Sequence, residues 1–498
     1  MKKLFSLVLC LVMVLSVASS AFAIKTISVK GIKLDKSYVK LSVGKTYPLK
    51  ITFTPANTTQ KLLKFSTSDK NVATIDVTGK ITAVGAGDAL ITVTSSSNTK
   101  LFAECNIVVP FEKVNLTYWQ HSSQARDDMM KALAYEFMQD NNDINIKMEF
   151  IPQSDYNTKL VAALATNAAP SVMQVQAGLV PKLVKAGAIQ PLNDKIISTD
   201  TIQKDFMEGS IGALKVGGKY YGLPTDVQTI VLYWNKELVS AAGLDAEKGP
   251  QTWDEILTWA KKLTKVENGK MIQSGWGMKG YCCYIEALML QNGGKIIDVN
   301  GKFVFADDPK SVEAVKYFTD AYRKDKIYDV GFMADWAGFR QGKIAMMLGH
   351  PAMLGNLKLT APTVKLGIGL IPAKTDKHTS IVSSWAYVMT AKANAVTSSK
   401  FINYLASEAV EKRWTTNTGE LPARKSLQKD ADLLKDPLIA NMIKSIDGAG
   451  VCYLHEANLY QIFVKDGFQK LILTDSQVET GLKDIQAKCN AENGKSLK

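Results

Sequence analysis

Cysteine and histidine are scarce: six Cys and four His in 498 residues. No two cysteines have C-x-x-C spacing, and the five beyond residue 23 (Cys105, Cys282, Cys283, Cys452 and Cys489) are odd in number. A disulfide-stapled scaffold is therefore not indicated. His121, His350, His378 and His455 form no H-E-x-x-H and no other metal-ligand spacing. No metal or cofactor is implied. The chain has no G-x-S-x-G elbow, and Gly44-Lys45-Thr46 is only the tail of a phosphate loop, in a strand-like stretch. No catalytic residue can thus be named. Apolar runs of membrane length are lacking beyond the extreme N-terminus, which excludes a protein with several membrane spans.

That N-terminal run has three parts. Met1-Lys2-Lys3 precedes an apolar stretch from Leu4 to Val17, and Ala18-Ser19-Ser20-Ala21-Phe22-Ala23 ends it. This is the layout of a secretory signal peptide over 1–23, cut after Ala23. Export to a secreted, cell-surface or periplasm-equivalent space follows. Cys10 is preceded by Leu9 rather than a small residue, so lipid attachment there is not expected. The remaining chain is long enough for two to four domains, and 46% hydrophobic with 21% charged residues is a globular composition.

From Thr26 to Pro110 the texture is all-β. Val39/Leu41/Val43, Leu49/Ile51/Phe53, Ala73/Ile75/Val77 and Ala89/Ile91/Val93 alternate with polar residues, and Leu101 to Val109 closes the series. Period-2 runs every 8–12 residues, broken by Gly44, Pro55, Gly79 and Gly87, predict an antiparallel sandwich over 24–110. Leu41-Ser42-Val43-Gly44-Lys45, Phe65-Ser66-Thr67-Ser68-Asp69, Val72-Ala73-Thr74-Ile75-Asp76 and Gly79 through Gly87 stand in an order that resembles the bacterial immunoglobulin-like domain of the second group. Phe65 replaces its usual Trp. The resemblance implies an adhesive or spacer module at a cell surface. Residues 24–110 carry 12 Lys, no Arg and five acids. The plain reading is a solvated surface that also protects sheet edges; the other is contact with an anionic cell-envelope polymer. Nucleic acid is disfavoured, because the positive charge lacks interleaved aromatics.

After Pro110 the period changes. Val114, Leu116 and Tyr118 alternate as a strand. A helix with Met129/Met130, Leu133 and Phe137 on one face follows, then Ile144, Ile146, Met148 and Phe150 alternate again. Strand, helix, strand predicts a βαβ unit in a parallel sheet, where ligands sit beyond the strands' carboxyl ends. The turn Trp119-Gln120-His121-Ser122 should then lie at that edge. Pro170 ends a second helix, and Val172–Val175 leads to Gln174 and Gln176 at a strand end.

Tyr221-Gly222-Leu223-Pro224-Thr225-Asp226, Val231-Leu232-Tyr233-Trp234-Asn235-Lys236, Pro250-Gln251-Thr252-Trp253-Asp254-Glu255, Phe339-Arg340-Gln341-Gly342-Lys343-Ile344 and Thr418-Gly419-Glu420-Leu421-Pro422 follow in order. In this order they resemble the extracellular solute-binding proteins of carbohydrate ABC importers, the maltose-binding-protein-like group (family 1), over 111–498. The resemblance implies an α/β two-lobe, hinged, periplasmic-binding-protein-like body of type II. Lobe 1 would hold about 112–224 and 386–447, and lobe 2 about 227–380 and 453–498. Crossings are expected near Pro224–Asp226, Ser383–Trp385 and Gly448–Tyr453. The partners it implies are a carbohydrate ligand, expected to be an oligosaccharide, and a membrane permease with its ATPase.

A sugar offers flat C–H faces and a rim of hydroxyls, so aromatic plates and bidentate polar groups are the side chains to seek. Trp119 and Trp385 are expected as plates from the first lobe and Trp276 from the second, with Trp336 behind them. Gln120, His121, Gln174, Gln176 and Asp226 are the polar candidates, with at most one of the two strand-end glutamines facing the cleft. His350 stands where the family has an aromatic. Tyr281, Tyr453 and His455 complete the set by similarity. Trp253 and Trp259 fit a packed helix face. The rival readings are a secreted glycoside hydrolase, which would need a carboxylate pair, and pure adhesion through the sandwich.

Overall fold

The computed structural model describes residues 25–111, 113–166, 168–278, 282–329, 331–374, 378–454, 457–474 and 477–496. The expected signal peptide, Tyr281, His455 and the expected helix caps Asp475 and Ser476 lie outside these residues, as do the side chains of Cys282 and Cys283. Met1–Lys113 and Val114–Lys498 belong to two separate compact units.

In the first unit, alternation becomes strands β1 (Gly31–Leu34), β2 (Tyr38–Lys40), β3 (Thr46–Pro48), β4 (Ile51–Thr54), β5 (Leu63–Thr67), β6 (Ala73–Ile75), β7 (Lys80–Ala83), β8 (Gly87–Ser95) and β9 (Phe102–Val109). They form a four-stranded sheet in the order β2-β9-β8-β5, a three-stranded sheet β3-β7-β6 and the pair β1-β4. Successive side chains of a strand face opposite ways. Ala89, Ile91 and Val93 therefore meet Cys105, Ile107 and Val109 in one buried core. Cys105 serves there as a small hydrophobe. The twelve lysines are all exposed.

The second unit opens with β10 (Val114–His121), helix α1 (Gln124–Asp140), β11 (Ile144–Ile151), helix α2 (Gln153–Ala165) and β12 (Val172–Gln176). A short hairpin, β13 (Lys215–Val216) and β14 (Lys219–Tyr220), precedes β15 (Gly222–Pro224). The chain then supplies β16 (Val231–Asn235), β17 (Lys265–Glu267), β18 (Lys270–Gly277), β19 (Ile344–Gly349) and β20 (Leu366–Gly369) to another sheet. It returns through β21 (Ile381–Val382) to β22 (Trp385–Met389), and a last strand, β23 (Gly450–Val451), pairs with β21. The first sheet has the order β11-β10-β12-β22-β15 and the second β17-β18-β19-β16-β20.

Neither sheet is purely parallel, as the βαβ start had suggested. β10 runs parallel to β11 and β12, but the returning β22 lies antiparallel between β12 and β15. A strand that comes back from the other sheet has no local helix to turn it round. The expected face of α1 is buried at Met129, Met130, Leu133 and Phe137, and so is that of the final helix Val478–Ser496 at Val478, Leu482, Ile485 and Cys489.

One lobe boundary differs from expectation. The helix Pro437–Lys444 was placed in lobe 1, yet it packs on the second sheet. Asn441 Nδ2 donates to the Ile368 carbonyl at 2.9 Å, and the Tyr233 hydroxyl reaches Met442 Sδ at 3.9 Å. Its apolar face of Ile439, Met442 and Ile443 is covered there, so the chain reaches the second sheet before Gly448.

Candidate ligand cleft

β10 continues three residues beyond its expected end, and the chain turns only at Ser122, whose N–H bonds the Ile151 carbonyl at 2.7 Å. Trp119 therefore lies within the strand, opposite Glu149 and Met173. Its ring is half-buried beside α2, with Lys159 Nζ 4.8 Å from the ring centroid. This corrects the expectation that it projects beyond the sheet. Gln120 turns into the core: it accepts from the Tyr118 hydroxyl at 2.9 Å and donates to Asp127 at 3.1 Å. His121 is the residue that reaches the edge.

Trp276 is corrected as well. β18 has a neighbouring strand on each side and its sheet is covered by helices, so its aromatic side chain is core. The indole is 1% exposed, meets Phe318 edge-on at 5.7 Å, and borders the stacked pair Trp253 and Tyr317. Trp336 is half-buried on the short helix Asp335–Arg340.

The crossings are stitched into one hinge. Gln228 and Ser383 exchange backbone hydrogen bonds of 2.8 and 2.9 Å, Val227 N–H bonds the Leu421 carbonyl at 2.8 Å, and Thr225 N–H bonds the Trp385 carbonyl at 2.8 Å. Ser380 Oγ donates to the Ile230 carbonyl and accepts from the Ile230 N–H, both at 2.9 Å.

Beneath the hinge lies a buried charge network. Arg126, on α1, pairs with Glu420 and, at 3.4 Å, with Asp226; all three are almost wholly buried. Its guanidinium also contacts His121. Glu420 accepts from Trp414 Nε1 at 2.5 Å, and Asp226 from the Trp385 N–H at 3.4 Å. Burial first, and then the nearby Glu420, push the Asp226 carboxyl well above the usual carboxylate range, while Arg126 opposes them. Burial, then Arg126, hold His121 well below the ordinary imidazole value, so it is neutral at pH 7. The His121 ring lies 4.2 Å from that of Trp385, tilted by 33°, with Tyr156 edge-on to both. Asp226 is thus tied to both neighbouring chain segments rather than presented as an open carboxylate.

Four residues here have buried side-chain polar atoms without a hydrogen bond of ordinary geometry among the described residues: Gln174, Thr225, Gln228 and the half-buried Ser383. Weaker side-chain hydrogen bonds nevertheless link Gln174 to His121, Gln228 to Asp226 and Thr225 to Tyr387. Gln174 and Gln176 pair across to Tyr387 and Trp385. Two residues apart on a strand, they share a face, so alternation does not separate them. Depth separates them instead: Gln174 is fully buried and Gln176 half-buried. On the second-lobe side, His350 directly follows β19, half-buried, with Nδ1 3.1 Å from the Thr229 carbonyl on the first crossing. Tyr453 is half-buried, its N–H bonded to Glu286 at 2.9 Å.

The sequence reading missed Arg126, Glu420, Gln228 and Ser383. Arg126 stood on a polar position of an amphipathic helix with no local partner, and Glu420 lies 294 residues away. A run of polar residues, Thr225, Asp226, Gln228 and Thr229, between two apolar strands was the available signal.

Comparison with known proteins agrees with this architecture. Residues 132–441 match the family described as bacterial extracellular solute-binding protein, and residues 28–104 match the bacterial Ig-like domain (group 2). The chain therefore belongs to the bacterial extracellular solute-binding proteins, two-lobe proteins here preceded by an immunoglobulin-like domain. It is 25% identical over 332 residues to the sn-glycerol-3-phosphate-binding periplasmic protein of Escherichia coli (strain K12), covering 62% of this chain and 74% of that one. It is 22% identical over 343 residues to a maltotriose-binding protein of Pyrococcus abyssi, covering 66% and 71%. Among solved structures it is similar to an ABC substrate-binding protein from Listeria monocytogenes in complex with cycloalternan. That match has TM-score 0.68 and 21% identity, over 77% of this chain and 99% of that one. These relatives are solute-binding proteins, not enzymes. Among the described residues no helix is long and apolar enough to cross a membrane.

Proposed function

We propose that this protein captures a carbohydrate outside the membrane, in the cleft between its lobes, and hands it to an ABC importer made of a permease and an ATPase. The observation that carries the reading is the hinge. Amides and hydroxyls without a hydrogen bond of ordinary geometry stand there beside the tilted ring pair of Trp385 and His121. Buried polar groups are normally paired, and a sugar supplies both the hydroxyls and the apolar face that this set lacks. Names borne by relatives, maltotriose-binding and in complex with cycloalternan, point the same way. Contacts are assigned to His121, Gln174, Gln176 and Trp385, with Trp336, His350 and Tyr453 supplied from the second lobe and Asp226 acting behind them. Trp119, Gln120 and Trp276 are assigned to packing.

The same reading makes the protein a binder rather than a hydrolase. The signal over 1–23 accounts for export, and the lysine-rich sandwich is offered as a spacer able to touch an anionic envelope polymer. The test is a thermal-shift screen of oligosaccharides with reducing sugar measured in parallel. A rise in melting temperature with the sugars left intact is expected. Steady release of reducing ends would defeat the reading.

A further inference from the structure

We infer that the cleft takes an uncharged, polyhydroxylated ligand and rejects phosphate esters, and that Gln228 and Ser383 set this preference. The inference rests on the reading above and narrows it, since relatives of this chain are named for a phosphate ester and for a neutral saccharide alike.

Six buried side-chain polar atoms without a hydrogen bond of ordinary geometry among the described residues belong to the four hinge residues: both amide atoms of Gln174 and Gln228, and the hydroxyls of Thr225 and Ser383; Gln174, Gln228 and Thr225 make only weaker contacts, to His121, Asp226 and Tyr387. Their concentration at one place marks a missing partner rather than scattered packing faults. Gln228 and Ser383 face each other as an antiparallel backbone pair. Residues directly opposite in such a pair carry their side chains on the same side. One amide and one hydroxyl, each able to donate and to accept, therefore stand together. That is the complement of a ring hydroxyl, which also does both.

The charges nearby are already committed. Arg126 is held by Glu420 and Asp226, so one cation faces two carboxylates and no positive charge is left over. Asp127 sits in the first turn of α1, where it occupies the electropositive helix end that a phosphate would use. A dianion entering this site would be desolvated without a counter-charge, beside carboxylates, whereas a neutral polyol meets amides and hydroxyls with hydrogen-bonding capacity to spare.

The experiment measures melting temperature and calorimetric affinity of the full chain with maltotriose, mannotriose, cycloalternan and sn-glycerol 3-phosphate. It repeats them on Gln228→Leu and Ser383→Ala. At least one neutral saccharide should bind and glycerol 3-phosphate should not. Each variant should weaken the saccharide at least tenfold while the unliganded melting temperature changes little, because no hydrogen bond of ordinary geometry is lost from the unliganded protein. A merely structural role would lower that temperature. Binding of glycerol 3-phosphate at comparable affinity, or undiminished saccharide affinity in both variants, overturns the inference while solute capture stands. If none of the saccharides binds, the carbohydrate reading itself falls.

Discussion

Removal of Glu420 should destabilise this protein more than removal of Asp226, although both carboxylates touch Arg126. Glu420→Ala leaves Trp414 Nε1 without its acceptor and Arg126 with a single partner 3.4 Å away. Removing one member of a buried ion pair costs about 3–5 kcal/mol. Asp226→Ala leaves Arg126 its closer partner, and the group that loses its acceptor is the Trp385 N–H, bonded at 3.4 Å. That loss is worth about 1–2 kcal/mol. Asp226→Asn should be nearly silent near pH 4, because burial favours the uncharged carboxyl, which an amide imitates in size. The sign of its pH dependence follows. A carboxyl whose pKa is raised by folding stabilises at low pH and loses that contribution as pH climbs above the ordinary carboxylate range. The melting temperature of Asp226→Asn should therefore gain on that of the unaltered protein between pH 4 and pH 8. At about 2 °C per kcal/mol for a domain this large, Glu420→Ala should melt about 6–10 °C lower and Asp226→Ala about 2–4 °C lower. Scanning calorimetry across that pH range reads all three. If Glu420→Ala melts within 2 °C of the unaltered protein, or Asp226→Ala melts below Glu420→Ala, the network is not organised as described.

Glu411 offers a second titration: burial, opposed by Arg424, pushes its carboxyl up to about 8 from an ordinary 4.5. Stability present below the ordinary value is lost as pH rises towards 8, by at most about 5 kcal/mol. Glu411→Gln should thus raise the melting temperature at pH 8 and leave it nearly unchanged at pH 5, and equal shifts at both would count against the assignment. Gly367→Ala would place a Cβ 1.9 Å from the Trp234 indole, which is pinned by a 2.7 Å bond to the Ala246 carbonyl. A loss of about 1–3 kcal/mol is expected in urea titration, and an unchanged midpoint would show that the indole can move. A chain beginning at Phe111 should keep its ligand-induced thermal shift in full, and its loss would give the immunoglobulin-like unit a part in binding.

Much of the fold could be read from periodicity, because the sandwich core and the faces of α1 and the last helix bury the residues that alternation marks. Trp119 shows where such reading ends. A strand's last residue depends on when its neighbour stops pairing, and β11 continues to Ile151. Each extra residue reverses the face of a side chain, so a short error in the strand end moved an aromatic from the cleft to the side of α2. Trp276 shows another limit. Gly275-Trp276-Gly277 looks like a loop, yet Gly275 allows β18 to approach the backbone of Ala260, where a Cβ would lie 1.9 Å from its carbonyl oxygen. Contacts between a strand and a distant helix decide such a case, and local sequence does not contain them. The network of Arg126, Asp226 and Glu420 was hidden for the same reason: its members are separated by 100 and 294 residues.

The hinge combines two kinds of polar group with opposite consequences. Arg126, Asp226, Glu420 and Trp414 satisfy one another, so this part costs little to keep dry and holds α1, the first crossing and the start of β22 in fixed relation. Gln174, Thr225, Gln228 and Ser383 do not satisfy one another. Each unpaired group costs about 1–3 kcal/mol when buried away from water. Without ligand that cost favours any arrangement in which water reaches these side chains, and the lobes gain by parting. With a saccharide in place its hydroxyls take over from the water, and the cost of closing is removed. A ligand shifts such an equilibrium only by the interactions it makes better in one state than in the other, and the unpaired amides are where that difference would arise. Closure would then report the hydroxyl pattern of the bound solute, with the buried charge network as the fixed point about which the lobes move.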